Sequence, residues 1–504
     1  MLTVTDGGTF DWANMPLDDM ALGNAMDADF TLRAYNAMTS DMKGKGVNHV
    51  YDKLLRDILV VASNIEHKGI LVDGDCVKKF DVLLTKEVGE LYTKLSELSV
   101  IDEVNPNSNA DMGLLLFTKE GFGLRALEFS KKTKAASITE AHLKKVAVTA
   151  KGDAKEYIEL LLKYKGRMKQ HKTYVKGVEK AVAYNEDGRV YSSYNFGNVV
   201  TGRLSCSTYT VGKERKGISF HTLPRPDEND AVNLRSMMTA DDDKVFVAAD
   251  FSQAELRVLA QCCRDKNLIE AFNSGQDLHR FTASLVFGKD PADVTKQERQ
   301  IAKSVSFLIV YGGGPNKLAE QIGKDIGYCK NIFRAYQDSF PKVFEWISFV
   351  HKFVKANGYA VSIFGRRRHL PNVTSPNRKY QYRALRQGMN FVIQSSASDL
   401  MLHSILRLNK YLAATGIDAQ ILATVHDSVE VQCSRKDLPK TVELMKYVLQ
   451  STDEFKGLYG LDFVVPFEVD VEAGKSFGDM IDVKFNPAGQ FLNNDEIINY
   501  VDNI

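Results

Sequence analysis

Two apolar segments that lie far apart in the sequence each lead into an aspartate, and this pairing limits the folds open to the chain. The run from Val245 to Ala249 leads directly into Asp250, and the run from Ile421 to Val425 is followed by His426 and Asp427. Short apolar runs bounded by polar residues are typical of buried strands. We therefore expect two strands of one sheet, each with a carboxylate at its end.

Helical segments surround and separate these strands. Val429 to Val431 predicts the second strand of a hairpin, and Phe463 to Val471 predicts a third strand. Apolar residues recur at helical spacing in residues 48–97 and 153–183, and residues 265–410 are mostly helical by the same pattern. The predicted fold class is α+β, with a small antiparallel sheet and a long helical insertion between its strands.

The bulk composition indicates an ordinary globular protein. The 504 residues give room for roughly three or four domains, and 44% of them are hydrophobic. We expect no membrane span, because no apolar run approaches the ~18 residues that one needs. The acidic start lacks the features of a signal peptide, and the six cysteines form no Cys-x-x-Cys pair. We expect an intracellular, cytoplasmic protein without zinc or structural disulfides.

The net charge of +1 hides a strong segregation of charge. Residues 1–41 hold seven aspartates and one arginine, whereas residues 151–180 hold nine Lys or Arg and four acids. Residues 366–386 hold seven Lys or Arg and no acid. Basic clusters of this kind suit binding to phosphates, and the alternative for each is a solvated basic face.

The chemistry of the two aspartates depends on whether they meet. Carboxylates from adjacent strands give the oxygen-rich site that Mg²⁺ prefers, completed by substrate phosphates and water. Two acids in one such site suit two-metal catalysis. Taken singly, Asp250 or Asp427 is more readily interpreted as a cap or turn former, so the metal site needs support elsewhere in the sequence.

A second pattern gives that support. Arg299, Lys303, Phe307 and Tyr311 recur every four residues, so on a helix they lie along one slowly winding face about 18 Å long. An incoming nucleotide requires cations for its phosphates and an aromatic face near its sugar and base. The alternative is an amphipathic helix with a cationic start and an apolar end, which the glycines at 312–314 terminate.

Together with these motifs, further segments resemble, in order, those of the family A DNA polymerases, the bacterial DNA polymerase I group. The resemblance runs through nearly the whole chain, and so many matches in the same order are beyond chance. The additional segments are Asn105–Ser108 with Leu114–Phe117, Thr201–Ser205, Asp277–Arg280, Gly365–Arg367 and Asn390–Gln394.

The resemblance implies a right-hand polymerase with palm, fingers and thumb. Residues 1–47 would be a remnant of the end of an exonuclease domain, and residues 48–200 the thumb with connecting helices. The palm would comprise residues 201–264 and 401–504, and residues 265–400 would form the fingers, ending with the return to the palm. The small sheet would belong to the palm.

The resemblance also implies the reaction: template-directed addition of dNTPs to a primer 3′-hydroxyl with release of pyrophosphate. Asp250 and Asp427, with the carbonyl of Phe251, would bind two Mg²⁺ ions. Arg299, Lys303 and His279 would bind the triphosphate, and Lys303 would serve as general acid.

Other residues would select the nucleotide and hold the DNA. Glu255 would crowd the sugar 2′ position and so exclude ribonucleotides, while Gln253, Phe307 and Tyr311 would complete the nucleotide site. Since Phe307 lacks a hydroxyl, we expect poor use of dideoxynucleotides. The DNA-contacting residues implied by the resemblance are Arg203, Gln394, Arg386, Asn390 and His426.

Two positions depart from the family pattern. Ser428 follows Asp427 where the family usually has glutamate, which removes a negative charge beside the metals. Because both principal ligands persist, we expect reduced or unchanged activity rather than none. Leu308 replaces a commoner glycine in the nucleotide-binding helix, and the sequence does not predict whether this change favours or opposes closure of that helix.

Several questions stay open in the sequence. Met20 to Leu32 resembles the last motif of a 3′–5′ exonuclease, and we expect no proofreading in this chain. Either a separate exonuclease exists, as in a split phage-like arrangement, or the sequence is shortened; a separate exonuclease or processivity subunit is thus a candidate partner beside primer-template DNA and dNTPs. One rival function is a single-subunit RNA polymerase, which Glu255 and the Thr201–Ser205 segment oppose. The other is a non-catalytic DNA-binding descendant of a polymerase, for which Ser428 would be the first sign of decay. The persistence of Asp250, Lys303 and Asp427 opposes it.

Overall fold

The structure is a computed structural model that describes residues 16–130, 132–211, 214–224, 230–425, 427–486 and 489–503. The described residues form two compact units, each built from several stretches of the chain. Unit one comprises those within residues 16–60, 253–406 and 452–466. Unit two comprises those within residues 61–252, 407–451 and 467–503.

Helices make up most of unit one and are the commonest elements of unit two. They are α1 (Leu17–Gly44), α2 (Asn48–Val50), α3 (Arg56–Lys68), α4 (Gly74–Leu98), α5 (Asn109–Phe117), α6 (Glu140–Thr149), α7 (Gly152–Lys169), α8 (Lys176–Asn185), α9 (Ala254–Cys263), α10 (Lys266–Asn273), α11 (Leu278–Phe287), α12 (Lys296–Val310), α13 (Pro315–Ile322), α14 (Ile326–Ser339), α15 (Pro341–Asn357), α16 (Arg378–Thr415), α17 (Leu438–Gln450), α18 (Glu454–Tyr459) and α19 (Asn494–Asp502). Tyr51–Leu55 and Gln170–Val175 are π-helical, and short 3₁₀ turns span Phe220–Thr222, Leu234–Met237, Pro291–Asp293, Pro371–Thr374 and Arg435–Asp437.

The strands are short and mostly paired in hairpins or small sheets. They are β1 (Ile70–Val72), β2 (Arg189–Val190), β3 (Ser192–Asn195), β4 (Ser205–Thr208), β5 (Thr210–Val211), β6 (Glu214–Arg215), β7 (Met238–Thr239), β8 (Lys244–Phe251), β9 (Tyr359–Val361), β10 (Arg367–His369), β11 (Ala419–Val425), β12 (Ser428–Ser434), β13 (Val469–Gly474) and β14 (Met480–Asp482).

The largest sheet lies in unit two and has five antiparallel strands in the order β11-β12-β8-β13-β14. The expected small antiparallel sheet, and with it the α+β class, is confirmed. Four of its strands correspond to predicted ones, namely β8, β11, β12 and, with shifted bounds, β13, and β11 and β14 form its edges. The central strand β8 is buried at almost every position, which matches its continuous apolar sequence.

The strand predicted from Phe463 to Val471 begins later in the structure. Residues 463–468 are outside any strand, and β13 runs instead from Val469 to Gly474. Pro466 has no backbone N–H to donate to a ladder, and its carbonyl accepts a hydrogen bond from Arg257 Nη1 at 2.5 Å. The strand therefore starts only after the proline.

Unit two has two buried clusters. In the first, Phe246 of β8 and Leu422 of β11 pack with Phe80 and Leu84 of α4 and with Phe477. The second lies among helices α4 to α7. The predicted helical stretches at 48–97 and 153–183 are confirmed as mostly helical. Strand β1 interrupts the first stretch at Ile70, where it pairs with β2 and β7.

Unit one is built on a run of helices from α9 to α16. Helix α12 begins with a capping box, in which Thr295 and Glu298 bond each other's backbone N–H groups. The predicted break after it is confirmed, since α12 ends at Val310 and Gly312 takes a φ of +66° before α13 begins. The hairpin β9–β10 lies in the stretch predicted to be mostly helical.

No helix among the described residues is both long and apolar enough to span a membrane.

Candidate active site

Asp250 and Asp427 lie side by side in unit two. Ser428, the first residue of β12, pairs directly with Asp250 at the end of β8. The backbone N–H of Phe251 donates to the carbonyl of Asp427 at 3.1 Å. On the other side of β8, Asp470 of β13 is the partner of Asp250. The structure thus brings together the two aspartates that the sequence singled out, along with Phe251.

A basic side chain contacts one acid of this pair, Asp427. Arg203 Nη2 lies 3.4 Å from Asp427 Oδ1, and both side chains are about one-third exposed, at 33% and 32%. Solvated ion pairs of this kind contribute at most about 1 kcal/mol. A cation or a DNA group competing for either partner therefore faces a small barrier.

A buried acid on the same face as Asp250 was missed in the sequence. Glu430 is 2% exposed, and its Oε1 accepts a hydrogen bond from Ser428 Oγ at 2.7 Å. Burial raises the pKa of Glu430 to about 8; the Ser428 hydrogen bond and Arg235 oppose this rise, and Asp250 adds to it. The available signal was the spacing of Ser428 and Glu430, since alternate residues of a strand share a face.

The donor set at this end of the sheet fits a hard divalent cation. Carboxylate oxygens from Asp250 and Asp427 and the carbonyl of Phe251 are the ligand types that Mg²⁺ takes. Within the described ranges, no three His, Cys, Asp or Glu side chains form a ligand group. Such a site suits Mg²⁺, which is usually held by one or two carboxylates with substrate phosphates and water.

The predicted four-residue stripe on α12, in unit one, is its accessible face. From Ile301 to Val310 every residue is buried except Lys303 and Phe307, which are half-buried. Arg299 is half-buried one turn earlier, and Tyr311 is exposed just beyond the helix. The stripe is therefore open where the rest of α12 is packed.

Asp277 holds the cation at the start of the stripe. It accepts from Arg299 Nε at 3.0 Å and Nη2 at 2.6 Å, and it caps α11 by accepting from the Arg280 backbone N–H at 2.8 Å. Burial raises the pKa of Asp277, but the Arg299 hydrogen bonds and the cap outweigh it and hold the pKa below its usual value. The carboxylate is ionised at neutral pH and balances the charge of Arg299.

His279 lies on α11 beside the middle of the stripe. Its ring centroid is 6.1 Å from that of Phe307, and the residue is 4% exposed. Burial lowers the pKa of His279 to about 4, and the nearby charge of Lys303 acts in the same direction. The imidazole is therefore neutral at pH 7, and it offers one N–H donor without a charge.

Gln253 and Glu255 lie where strand β8 gives way to α9. Gln253 has a φ of +56°, a left-handed conformation that is uncommon for a residue other than glycine. Glu255 is 7% exposed in the first turn of α9. The roles of both side chains stay predictions.

The predicted DNA-contacting residues of unit one share a face of α16. Arg386, Asn390 and Gln394 follow one another at four-residue intervals, and their side chains are exposed or half-buried. A side chain added at Gly312 would meet Arg386 Cγ at 2.8 Å, so Arg386 packs on the turn that follows Tyr311. The structure thus brings Arg386 to the end of the stripe.

Two sequence inferences have other outcomes. His426 lies outside the described residues. Arg366, counted in the basic cluster, is committed elsewhere, because its Nη2 donates to the fully buried Asp399 at 2.6 Å. Its contribution to the cluster is structural, and the phosphate-binding interpretation does not extend to it.

The departure at Leu308 has a packing partner. Leu308 is 6% exposed, and a side chain added at Gly313 would meet Leu308 Cδ2 at 2.8 Å. The leucine therefore fills the space under the turn that ends α12.

Comparison with known proteins gives a consistent result. The sequence model of DNA polymerase family A matches residues 75–479. The chain is 30% identical over 428 residues to the thermostable DNA polymerase I of Thermus filiformis, covering 85% of this chain and 48% of that protein. It is 29% identical over 443 residues to DNA polymerase I of Geobacillus stearothermophilus, covering 88% of this chain and 47% of that protein. The chain spans about half the length of these relatives.

A solved structure shares the fold. It is the POL domain of Pol1 from M. smegmatis, in complex with DNA primer-template and dNTP. Its TM-score is 0.77 at 24% identity, covering 89% of this chain and 74% of the other. Since the family model spans well over half of the sequence, the chain belongs to DNA polymerase family A.

Proposed function

We propose that this protein is a template-directed DNA polymerase that adds dNTPs to a primer 3′-hydroxyl and releases pyrophosphate. The observation that carries the proposal is the pairing of Asp250 with Ser428, which sets Asp250, at the end of β8, beside Asp427 in the turn that precedes β12. Family membership and the open cationic and aromatic stripe of α12 support it.

Asp250, Asp427 and the Phe251 carbonyl would hold two Mg²⁺ ions. When bound, these ions supply the Lewis acidity that activates the primer hydroxyl and stabilises the departing pyrophosphate. Asp427 must exchange its Arg203 partner for the cation, and the weak, solvated pair at 3.4 Å permits that exchange.

Arg299 and Lys303 neutralise the triphosphate, and Lys303 donates a proton to the leaving group. His279, being neutral, donates a hydrogen bond without adding charge. Asp277 orients the Arg299 guanidinium through two of its nitrogens, so the cation is pre-positioned before the nucleotide arrives.

Glu255 and Phe307 select the sugar. The buried Glu255 carboxylate is fixed in the first turn of α9, so a ribonucleotide's 2′-hydroxyl would meet a side chain with little room to move. Gln253 completes the nucleotide site, and Tyr311 stacks beside the template base.

Arg203 and Gln394 contact minor-groove acceptors at the primer end, which every correct base pair presents in nearly the same place. Arg386 and Asn390 position the template strand, and His426 is a further DNA contact. These residues check the geometry of the pair without reading its sequence.

Primer extension tests the proposal. Wild-type protein with Mg²⁺, a primer-template and dNTPs should extend the primer, and rNTPs should be used far less efficiently. Asp250→Asn, Asp427→Asn and Lys303→Ala should each lose most of the activity. Asp418→Asn is the matched control, because Asp418 is an exposed acid beside β11 that pairs with Lys244.

A pure DNA-binding protein would bind the primer-template and extend nothing in any variant. An RNA polymerase would prefer rNTPs. Either result would overturn the proposed reaction, whereas loss of extension in the Asp418→Asn control would indicate a general effect of removing an acid from this sheet.

A further inference from the structure

Glu430 is a buried acid on the face of the sheet that carries Asp250. On β12, Ser428 lies opposite Asp250, and Glu430 lies opposite Ala248. Residues that pair directly across strands, and alternate residues along one strand, project on the same face. Glu430 is therefore one step behind Ser428 along the face on which Asp250 lies.

The Glu430 carboxylate is turned toward the Asp250 end of the strand. Its Oε1 accepts from Ser428 Oγ at 2.7 Å, which draws the side chain back along β12. Its Oε2 is buried and has no hydrogen-bond partner among the described residues. An acid left in this condition destabilises the fold, so a role in function is the natural explanation.

Another buried acid shows what a structural role looks like in this protein. Asp399 is fully buried, and Arg366 bonds both of its oxygens through Nε and Nη2. Among the described residues, Glu430 has no such bidentate cation, and its carboxyl group bonds the Ser428 hydroxyl. Unlike Asp399, Glu430 therefore retains a carboxyl oxygen that no described residue bonds.

The hydrogen bond defines what Ser428 can do. A serine hydroxyl has one proton and two lone pairs. Because the Ser428 hydroxyl donates its hydrogen bond to Glu430, its oxygen can only accept hydrogen bonds from other groups. The neighbour of Ser428 across the strands is Asp250. Ser428 and Glu430 together then present an acceptor beside Asp250.

We propose that Ser428 and Glu430 form a relay that supports divalent-cation binding at Asp250 and Asp427, with Glu430 as the positioning residue. This inference rests on the proposed function, because it concerns the cations of that reaction. Glu430 acts through Ser428 and not as a ligand, since the described residues hold no group of three acids at ligand distance. Burial keeps a proton on Glu430 up to about pH 8 when no cation is bound, whereas cations at Asp250 and Asp427 would favour its ionised form, so the relay supplies a negative charge once cations are present.

Cation binding to the protein alone gives the first test. Mn²⁺ would be titrated without DNA or dNTP, with free Mn²⁺ followed by electron paramagnetic resonance. Loss of a group that orients a metal ligand or its water typically weakens binding by tenfold or more. We expect Glu430→Gln and Ser428→Ala each to weaken Mn²⁺ binding by about tenfold, and the double variant to be no weaker than about twice either single one.

The matched control is Glu472→Gln. Glu472 lies opposite Ala248 on the other neighbouring strand, β13. The substitution therefore removes an acid at the same position along the sheet, but one that is not hydrogen-bonded to Ser428. We expect its Mn²⁺ affinity to stay within about twofold of wild type. Equal effects of Glu430→Gln and Glu472→Gln, or full additivity of the Ser428 and Glu430 changes, would overturn the relay.

A rescue variant separates positioning from packing. Ser428→Glu, added to Glu430→Gln, returns an acid directly opposite Asp250 and should restore most of the Mn²⁺ affinity. A general packing defect would not be repaired by that addition. If Glu430→Gln does not fold, Ser428→Ala compared with Ser428→Thr, which keeps the hydroxyl, decides the same question.

The relay and the proposed function can fail separately. Wild-type protein that binds Mn²⁺ but extends no primer would refute the polymerase reaction and leave the relay supported by the binding data. Protein that extends primers with the same Mg²⁺ dependence in wild type and Glu430→Gln would refute the relay alone. If both hold, Glu430→Gln should raise the Mg²⁺ needed for half-maximal extension by about tenfold, with kcat at saturating Mg²⁺ little changed.

Discussion

Asp277 grips Arg299 through two nitrogens, with Nε at 3.0 Å and Nη2 at 2.6 Å from one carboxylate oxygen. The pair joins the cap of α11 to the first turn of α12, so the two helices share an ion pair where the triphosphate site is proposed. The carboxylate fixes the guanidinium, but its negative charge also opposes a nucleotide. Which effect dominates is a question of magnitude.

The exposure of this pair limits what the ion pair contributes, and so decides whether Asp277→Asn is expected to raise or lower the KM for dNTP. The two side chains are 36% and 40% exposed, so the ion pair contributes at most about 1 kcal/mol, or roughly fivefold in an equilibrium. Asparagine keeps the cap and removes the charge. We expect the KM for dNTP to fall two- to fivefold at low salt, approximately, in steady-state extension. Asp290→Asn, another capping aspartate, is the control and should leave KM unchanged; a rise in KM with Asp277→Asn would indicate that positioning dominates.

The lowered pKa of His279 predicts that protonation of this side chain causes no pH dependence of the KM for dNTP near neutral pH. With a pKa near 4 in place of 6.5, the imidazole stays neutral from pH 5.5 to 8.5. The KM for dNTP in wild type and in His279→Gln should therefore change in parallel over that range, measured by extension at each pH. A break near pH 6.5 in the wild type that disappears in the variant would mean that His279 binds the phosphates as a cation.

The strand-end aspartates and the α12 stripe could be predicted because each depends on a simple period. An apolar run that stops at Asp250 gives a strand with an end, and a four-residue repeat from Arg299 to Tyr311 gives one side of a helix. These patterns do not require knowledge of distant partners. The adjacency of β8 and β12 was expected from the family resemblance and from the aspartate at or beside the end of each strand.

What the sequence did not reveal depends on partners far away in the chain. The burial of Glu430 arises from the strands on both sides of β12 and from the core around Phe246. The commitment of Arg366 to Asp399 joins a hairpin to the middle of α16. The start of β13 at Val469 depends on Pro466, a local signal that the apolar pattern of residues 463–471 does not include.

Phe307 predicts strong discrimination against dideoxynucleotides. Its ring is half-buried and tilted against His279, and it has no hydroxyl to replace a missing 3′-hydroxyl on the nucleotide. Phe307→Tyr supplies one. Hydrogen bonds to charged groups contribute about 1.5–3 kcal/mol, so the ratio of kcat/KM for dNTP to that for ddNTP should fall by roughly 10- to 100-fold. Comparable use of ddNTP and dNTP by the wild type would contradict the prediction.

The contact between Arg203 and Asp427 predicts opposite effects on two ligands. Arg203→Gln frees Asp427 from a nearby cation, so Mn²⁺ binding to the protein alone should tighten by up to about fivefold. Primer-template affinity, measured by fluorescence anisotropy, should weaken because a minor-groove contact is lost. The control is Lys244→Gln, which removes a cation at the opposite end of β8. Unchanged Mn²⁺ affinity in Arg203→Gln would show that the contact does not compete with cations.

Glu430 predicts how stability varies with pH when no cation is bound. The unfolded chain releases the Glu430 proton near pH 4.5, whereas the folded protein keeps it to about pH 8. Folding is therefore favoured fully below pH 4.5 and loses stability progressively as pH rises to about 8. Glu430→Gln stays neutral throughout, so its melting temperature in EDTA should match wild type near pH 5 and exceed it near pH 8 by roughly several degrees. Glu472→Gln, which lacks this deep burial, should show a smaller difference, and a variant less stable than wild type at pH 8 would mean that Glu430 is ionised and paired in the folded protein.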